Sequence, residues 1–409
     1  MKVGLAGSIL MGRQRAPQYE KGDHMTPYLR VANVLDGFID YSDILEMNFE
    51  PEEQSLFAVS PGDILLNEGQ SRELVGRSAI YRGEPNQFCF QNTLIRFRVG
   101  EVLDPEFAQA QFASWLTAGV FQLFCRQSTN IAHLGADRLA EIRMAVPPIE
   151  EQRAIVAHLA RETARLDALV AAKQRVLDLL AEKRKAIIAT AVTRGLDPKA
   201  KLRDSGMPWL GEIPAHWEIE RARWLFRERD LRSTTGEEEM LSVSHLTGVT
   251  PRSEKHVNMF EAETNEGYKL CEPGDLVINT LWAWMGAMGI APVKGIVSPA
   301  YNVYEPGPRL APAYIDALVR LPVFAQEVTR YSKGVWSSRL RLYPEGFFQV
   351  YLPVPPTEEQ QAIVEHIARN TGKLDAVRGA TERTIELLKE RRAVLIAAAV
   401  TGQLDVGKP

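Results

Sequence analysis

Pro147-Pro148-Ile149-Glu150-Glu151-Gln152-Arg153-Ala154-Ile155-Val156 returns 208 residues later as Pro355-Pro356-Thr357-Glu358-Glu359-Gln360-Gln361-Ala362-Ile363-Val364. The alignment runs without a gap to Leu196-Asp197 against Leu404-Asp405, and 28 of its 51 pairs are identical. A repeat this long decides the organisation of the chain before any other reading. In each copy two prolines disfavour helix before them, and the glutamates that follow suit the positive end of a helix starting there. Core positions then recur at alternating steps of four and three. In the first copy they are Ile155, Leu159, Leu166, Leu169, Val176 and Leu180, with polar Glu162, Lys173 and Lys183 in the same register. In the second they are Ile363, Ile367, Leu374, Val377, Leu388 and Leu395, with Asn370, Thr381, Thr384 and Arg391 in the same register. This is a heptad seam. Some forty residues at about 1.5 Å each predict two rods on the order of 60 Å long.

One apolar stripe on a long helix needs a cover. The other copy is the simplest cover; the alternative is that each helix packs on its own domain. The polar seam positions would fix register at some cost in stability. The segments before the helices also correspond, more loosely. Tyr28-Leu29-Arg30-Val31-Ala32-Asn33-Val34 parallels Met240-Leu241-Ser242-Val243-Ser244-His245-Leu246, and Pro61-Gly62-Asp63-Ile64-Leu65-Leu66-Asn67 parallels Pro273-Gly274-Asp275-Leu276-Val277-Ile278-Asn279. Pro-Gly suits the centre of a type II turn, and the apolar run after it reads as a buried strand. Further strand-like runs follow, and a helix opens at Pro105 and again at Pro312. The fold class is therefore α+β, written twice. Globules at 1–146 and 198–353 alternate with long helices at 147–197 and 354–409, and the stretch from Asp197 to Met207 reads as a linker.

Composition fits this picture. The 409 residues are 45% hydrophobic and 24% charged, with a net charge of −4, which excludes disordered, collagen-like and coiled-coil-only chains. Three cysteines, far apart, are too few for a disulfide framework or a zinc cluster and suggest a reduced, cytoplasmic setting. No apolar run approaches the roughly 18 residues of a membrane span, and the N-terminus lacks a signal peptide's apolar core. Phosphate-binding Gly-x-x-x-x-Gly-Lys-Ser/Thr, dinucleotide Gly-x-Gly-x-x-Gly, His-Glu-x-x-His and Gly-x-Ser-x-Gly motifs are all missing, so no cofactor is expected in this chain. The sequence points to binding.

The duplicated Pro-Pro-x-Glu-Glu-Gln helix opening, with each helix ending Ala-Val-Thr, resembles the specificity subunit of type I restriction-modification systems. So do Tyr28-Leu29-Arg30-Val31-Ala32-Asn33-Val34-Leu35-Asp36-Gly37 and Asp204-Ser205-Gly206-Met207-Pro208-Trp209-Leu210-Gly211-Glu212-Ile213-Pro214. The resemblance implies two target recognition domains, each reading half of a bipartite, asymmetric target in double-stranded DNA. It implies long helices paired as an antiparallel coiled coil in a pseudo-twofold repeat, docking two methyltransferase subunits and, through them, restriction subunits. S-adenosylmethionine, ATP and magnesium are then expected in those partners. A coiled-coil scaffold, or a solo or decoy specificity protein, is the alternative. The sequence departs from the pattern once: the stretch at 204–214 has no counterpart before the first domain.

Neither globule is basic. Residues 1–146 carry 13 basic and 18 acidic groups, and 198–353 carry 18 and 19, so a DNA face must be a local cluster. Arginine reads guanine and Asn or Gln reads adenine in the major groove. Loop segments holding those residues are the candidates: Arg13, Gln14 and Arg15; Arg72 and Arg77; Arg126, Gln127 and Asn130; Arg252 with Lys255 and His256; and Lys333, Ser337, Arg339 and Arg341. Trp282 and Trp284 alternate after a strand and are expected in the core.

Overall fold

The computed structural model describes residues 1–128, 131–254, 264–334 and 340–405. The chain forms two compact units, Met1–Arg175 with Glu382–Pro409, and Val176–Thr381. Both repeats begin their helices where the prolines predict, at Ile149–Arg194 and Thr357–Val400. Each long helix contributes one part to each unit.

In the first unit a four-stranded antiparallel sheet runs in the order Gly7–Met11, Leu94–Val99, Ile64–Asn67, Ser78–Ile80. The second unit repeats that order with Phe226–Glu228, Tyr301–Pro306, Leu276–Asn279 and Met288–Ile290. The central strand of each follows the Pro-Gly turn. Gly62 and Gly274 sit at φ of +92° and +97°, and the closing N–H···O bonds, Asp63 to Ser60 and Asp275 to Glu272, are both 3.0 Å. This is the type II geometry, open to glycine at its second central position. The aspartate that ends the turn is buried in both copies and is paired with an arginine from different strands. Arg98 forks onto Asp63 at 2.7 and 2.8 Å, whereas Asp275 meets Arg229, just past the edge strand, at 2.8 Å. The fold keeps the pair while the sequence moves the cation.

The helix after the sheet, Pro105–Thr117 or Pro312–Val319, closes one core with the long helices. In the first unit that core joins Phe97, Phe107 and Phe112 to Ile155, Leu159, Ile396 and Val400. In the second it joins Tyr304, Tyr314 and Trp217 to Ala191, Val192 and Ile363. The 204–217 stretch supplies Leu210, Ile213 and Trp217 to this second core, and the strand after it, Glu218–Arg221, pairs with Tyr351–Val354. In the first unit the equivalent pairing is made by Met1 to Val3 with Ile142 to Met144.

Within the first unit, residues 155 to 167 of one helix lie beside 400 to 392 of the other, so the two run antiparallel. The seam departs from the sequence reading by one residue at every second step. Ile155, Leu159, Leu166, Ile363 and Ile367 face inward, and Leu180, Leu374, Leu388 and Leu395 are half-buried. Leu169, Val176 and Val377, however, are 44%, 37% and 50% exposed, and Val170 and Leu177 take the places of the first two. In the second helix Thr371 and Ile385 are buried in place of Asn370 and Thr384. Alternation by three and four can begin with either step from a shared position such as 166 or 173. The packing begins with four.

Two ion pairs line the seam, and they are one pair written twice. Asp167 meets Arg392 at 3.1 Å in the first unit, and Asp375 meets Arg184 at 2.7 Å in the second. All three cysteines are unpaired. Burial pushes the Cys89 and Cys271 thiols up to about 12, while Cys125 is only half-buried. At pH 8, iodoacetamide is therefore expected to label Cys125 first and the other two only after unfolding; labelling of all three at one rate in native buffer would contradict the packing. Because those two thiols titrate in the fold above their ordinary 9.0, their contribution to stability is complete below that pH and is lost as pH climbs toward 12.

Candidate nucleic-acid interface

In each unit a short excursion hangs from the same point, the end of the central strand. In the first, the Leu134 N–H donates to the Glu68 carbonyl at 2.9 Å. Just beyond, Gly69–Gln70 pairs with Ile131–His133, which pairs back on Arg126–Ser128 to make a three-stranded ribbon. His133 Nδ1 lies 3.1 Å from the Glu68 carboxylate, tying the ribbon to the strand end. This ribbon brings together Arg126 and Gln127, both exposed, and Arg72, exposed two residues past Gln70. Asn130 lies outside the described residues.

Other sequence candidates stand elsewhere. Arg13 is a structural residue: it is buried, donates to the Asn48 carbonyl, pairs with Glu53 at 2.8 Å and lies over the Tyr19 ring at 3.6 Å. A guanidinium consumed this way is not available to a base. Gln14 and Arg15 next to it are exposed, with Arg15 3.3 Å from Glu20. Arg77 is partly covered and paired with Asp36 at 2.9 Å.

In the second unit the Leu342 N–H donates to the Thr280 carbonyl at 3.1 Å, the counterpart of the Leu134–Glu68 bond. Lys333 and Arg341 close the excursion by exchanging two backbone bonds of 2.9 Å, and both side chains are exposed. Ser337 and Arg339 lie between them, outside the described residues, as do Lys255 and His256. Arg252 opens a short turn at Arg252–Glu254. Trp284 is half-buried, its indole N–H donating to the Leu281 carbonyl at 3.0 Å, so it meets the core expectation only in part. Trp282 is not a core residue: it is 50% exposed and stacks on His245, ring centroids 6.5 Å apart.

The glutamine of the repeated motif seats each domain on its helix. Gln152 is fully buried. Its Oε1 accepts from the Asp104 N–H, and its Nε2 donates to the Val102 and Pro147 carbonyls, each at 2.8 Å. Asp104 is the cap of the helix Pro105–Thr117, accepting from the Glu106 and Phe107 N–H groups. Gln360 repeats this with the Ala311 N–H and the Arg309 and Pro355 carbonyls at 2.8, 2.8 and 2.9 Å. Sequence reasoning took this motif as a helix start and missed the clamp. The signal was there: a glutamine is the one residue of the motif able to serve donors and acceptors at once.

Outward on the long helices, Leu169 and Leu179 are exposed, and so are their repeat equivalents Val377 and Leu387. These two apolar positions are left in water at equivalent places in both copies. Among the described residues no helix is long and apolar enough to cross a membrane, and no three His, Cys, Asp or Glu side chains gather as a metal site would need.

No protein-family model matches the chain. Over 387 residues it is 21% identical to the putative type I restriction enzyme MjaX specificity subunit of Methanocaldococcus jannaschii, covering 93% of this chain and 87% of that protein. Among solved structures, the HsdS subunit of Thermoanaerobacter tengcongensis is similar with a TM-score of 0.54 at 17% identity, covering 99% of this chain and 96% of that one. A chain from a study of complex assembly and conformational transition in a type I restriction-modification system is similar with a TM-score of 0.64 at 18% identity, covering 99% and 97%. The chain is thus similar throughout its length to a type I restriction specificity subunit, and it shares the fold of those solved structures.

Proposed function

We propose that this chain is the DNA-reading and assembly subunit of a type I restriction-modification complex, performing no chemistry itself. One observation carries the reading. The same scaffold point, Glu68 in one unit and Thr280 in the other, supports an excursion whose lettering differs between the two: Arg126 to His133 against Lys333 to Arg341. Equal scaffolds with unequal surface residues are what a reader of two different half-sites needs. Each domain alone would bind weakly. Two on one chain gain effective concentration only when the gap between half-sites fits, and the long helices set that gap.

In this reading the equivalent outward residues Leu169, Leu179, Val377 and Leu387 receive two copies of a methyltransferase subunit. Restriction subunits join that core. S-adenosylmethionine, ATP and magnesium act in the partners. The near-neutral charge of both globules fits a protein whose partners supply much of the phosphate contact.

The test is a domain exchange. With the methyltransferase partner co-expressed, methylated adenines mapped genome-wide are expected to form one split motif that is absent without this chain. Replacing residues 198–353 by a relative's segment should change one half of the motif and leave the other half intact. An unchanged motif would leave a scaffold that reads no DNA.

A further inference from the structure

Trp282 occupies a decisive place. It lies two residues past Thr280, where the second unit's excursion is fastened to the central strand, and its counterpart in the first unit is Gln70 on the ribbon. The backbone that carries the indole is held. Asn279 binds the turn twice, its carbonyl accepting from the Trp282 N–H at 3.0 Å and its Oδ1 from the Leu281 N–H at 3.2 Å. Ala283, the next residue, is fully buried, and the Trp284 indole N–H donates back to the Leu281 carbonyl at 3.0 Å. Beside the ring stands His245, carried with exposed Leu246 on the hairpin turn between Leu241–Ser244 and Gly248–Pro251. That turn is itself held, because Arg320 donates to the Leu246 carbonyl at 3.0 Å. A large apolar ring is thus presented to solvent by two braced turns, two residues past the point where the backbone that follows exposed Arg341 is fastened to Thr280.

Building on the DNA-reading function proposed above, we infer that Trp282, with His245 stacked on it, is an apolar base-edge contact of the second recognition domain, complementary to a thymine methyl group. A phosphate calls for a charged partner, and an indole carries no charge. On the floor of the major groove the thymine C5-methyl is the one apolar feature, and apolar side chains are its readers. The equivalence with Gln70 agrees: the same scaffold position holds an amide, suited to adenine, in one domain and an indole in the other.

The experiment uses the full chain with its methyltransferase partner and a duplex carrying the mapped motif. Trp282→Ala is expected to weaken binding of that duplex about tenfold and to relax discrimination at one base pair of the second domain's half-site. The other half-site stays strict, and the dependence on salt keeps its slope. Trp282→Leu should restore most of the affinity. Lys333→Ala and Arg341→Ala should instead flatten the salt dependence and weaken all sequences alike. Replacing thymine by deoxyuridine, one position at a time, should cost wild type about as much as Trp282→Ala at one position and cost the variant nothing further there. Kinked DNA with no deoxyuridine effect would make the ring a wedge between base steps and overturn the assignment. Loss of assembly with DNA selectivity intact would make it a protein contact, also overturning it. If neither Trp282 nor the cations affect DNA, the DNA-reading function itself fails, separately from this inference.

Discussion

Replacing Gln152 by alanine lowers the stability of the first unit by about 3 kcal/mol, because three partly covered backbone groups lose their partner at once. The Asp104 N–H and the Val102 and Pro147 carbonyls are each bound at 2.8 Å by this one side chain, which is wholly buried. An unsatisfied buried group costs roughly 1–3 kcal/mol, and partial entry of water into the vacated space reduces the sum. Gln152→Glu fares no better: the carboxylate still accepts from Asp104 but sets negative oxygen against two carbonyls. Hydrogen exchange reads the effect locally, with protection lost first around residues 102–107. Gln360→Ala should do the same around 309–314 and leave the first unit's protection unchanged. Wild-type protection and wild-type unfolding midpoint in both variants would show that the clamp contributes nothing.

Leu166→Asp and Leu169→Asp, three residues apart, should give opposite phenotypes. Leu166 is 7% exposed and shares the seam, so an aspartate there forfeits the apolar burial and desolvates a charge, costing about 4 kcal/mol or more. The melting temperature should fall by about 10 °C. Leu169 points outward, and its replacement should leave the melting temperature within about 2 °C while abolishing co-elution with the methyltransferase partner on size exclusion. Adding Val377→Asp, the repeat equivalent, should remove any residual binding. Comparable destabilisation by both Leu166→Asp and Leu169→Asp would instead support the register read from the sequence, which turns both residues inward.

That register shows what a sequence discloses and what it withholds. The repeat was legible because identity was retained where buried hydrogen bonds and ion pairs require one residue type: Gln152 and Gln360, Asp167 and Asp375, Arg184 and Arg392. The seam was legible to within one residue. Leu169 and Val170 are both apolar, as are Val176 and Leu177, and spacing alone does not say which of each pair turns inward. Buried Thr371 and Thr381 look like surface residues on any hydropathy scale, yet Thr381 satisfies its hydroxyl on the Val377 carbonyl at 2.8 Å and can go inside.

The interface was less legible for a different reason. An arginine's letter does not tell whether its charge meets water or a carboxylate. Arg13 and Arg126 look alike in sequence, and only the positions of Tyr19 and Glu53 separate them. Trp282 was hidden by alternation after a strand, a pattern that predicts burial while the strand lasts. Here the strand ends at Asn279 and the chain turns into a short 3-10 turn, Ala283–Met285, so the alternation no longer applies.

The division of the chain into its two units bears on the order in which the protein is made. Unit Val176–Thr381 is one uninterrupted stretch, whereas its companion is assembled from the beginning of the chain and its last part. During synthesis the domain written first must therefore wait, its face for Ile396, Ala399 and Val400 uncovered, until the second long helix has been made. The domain written second can complete its core earlier. A nonsense mutation near codon 382 would then strike the domain farther from it in sequence and spare the nearer one.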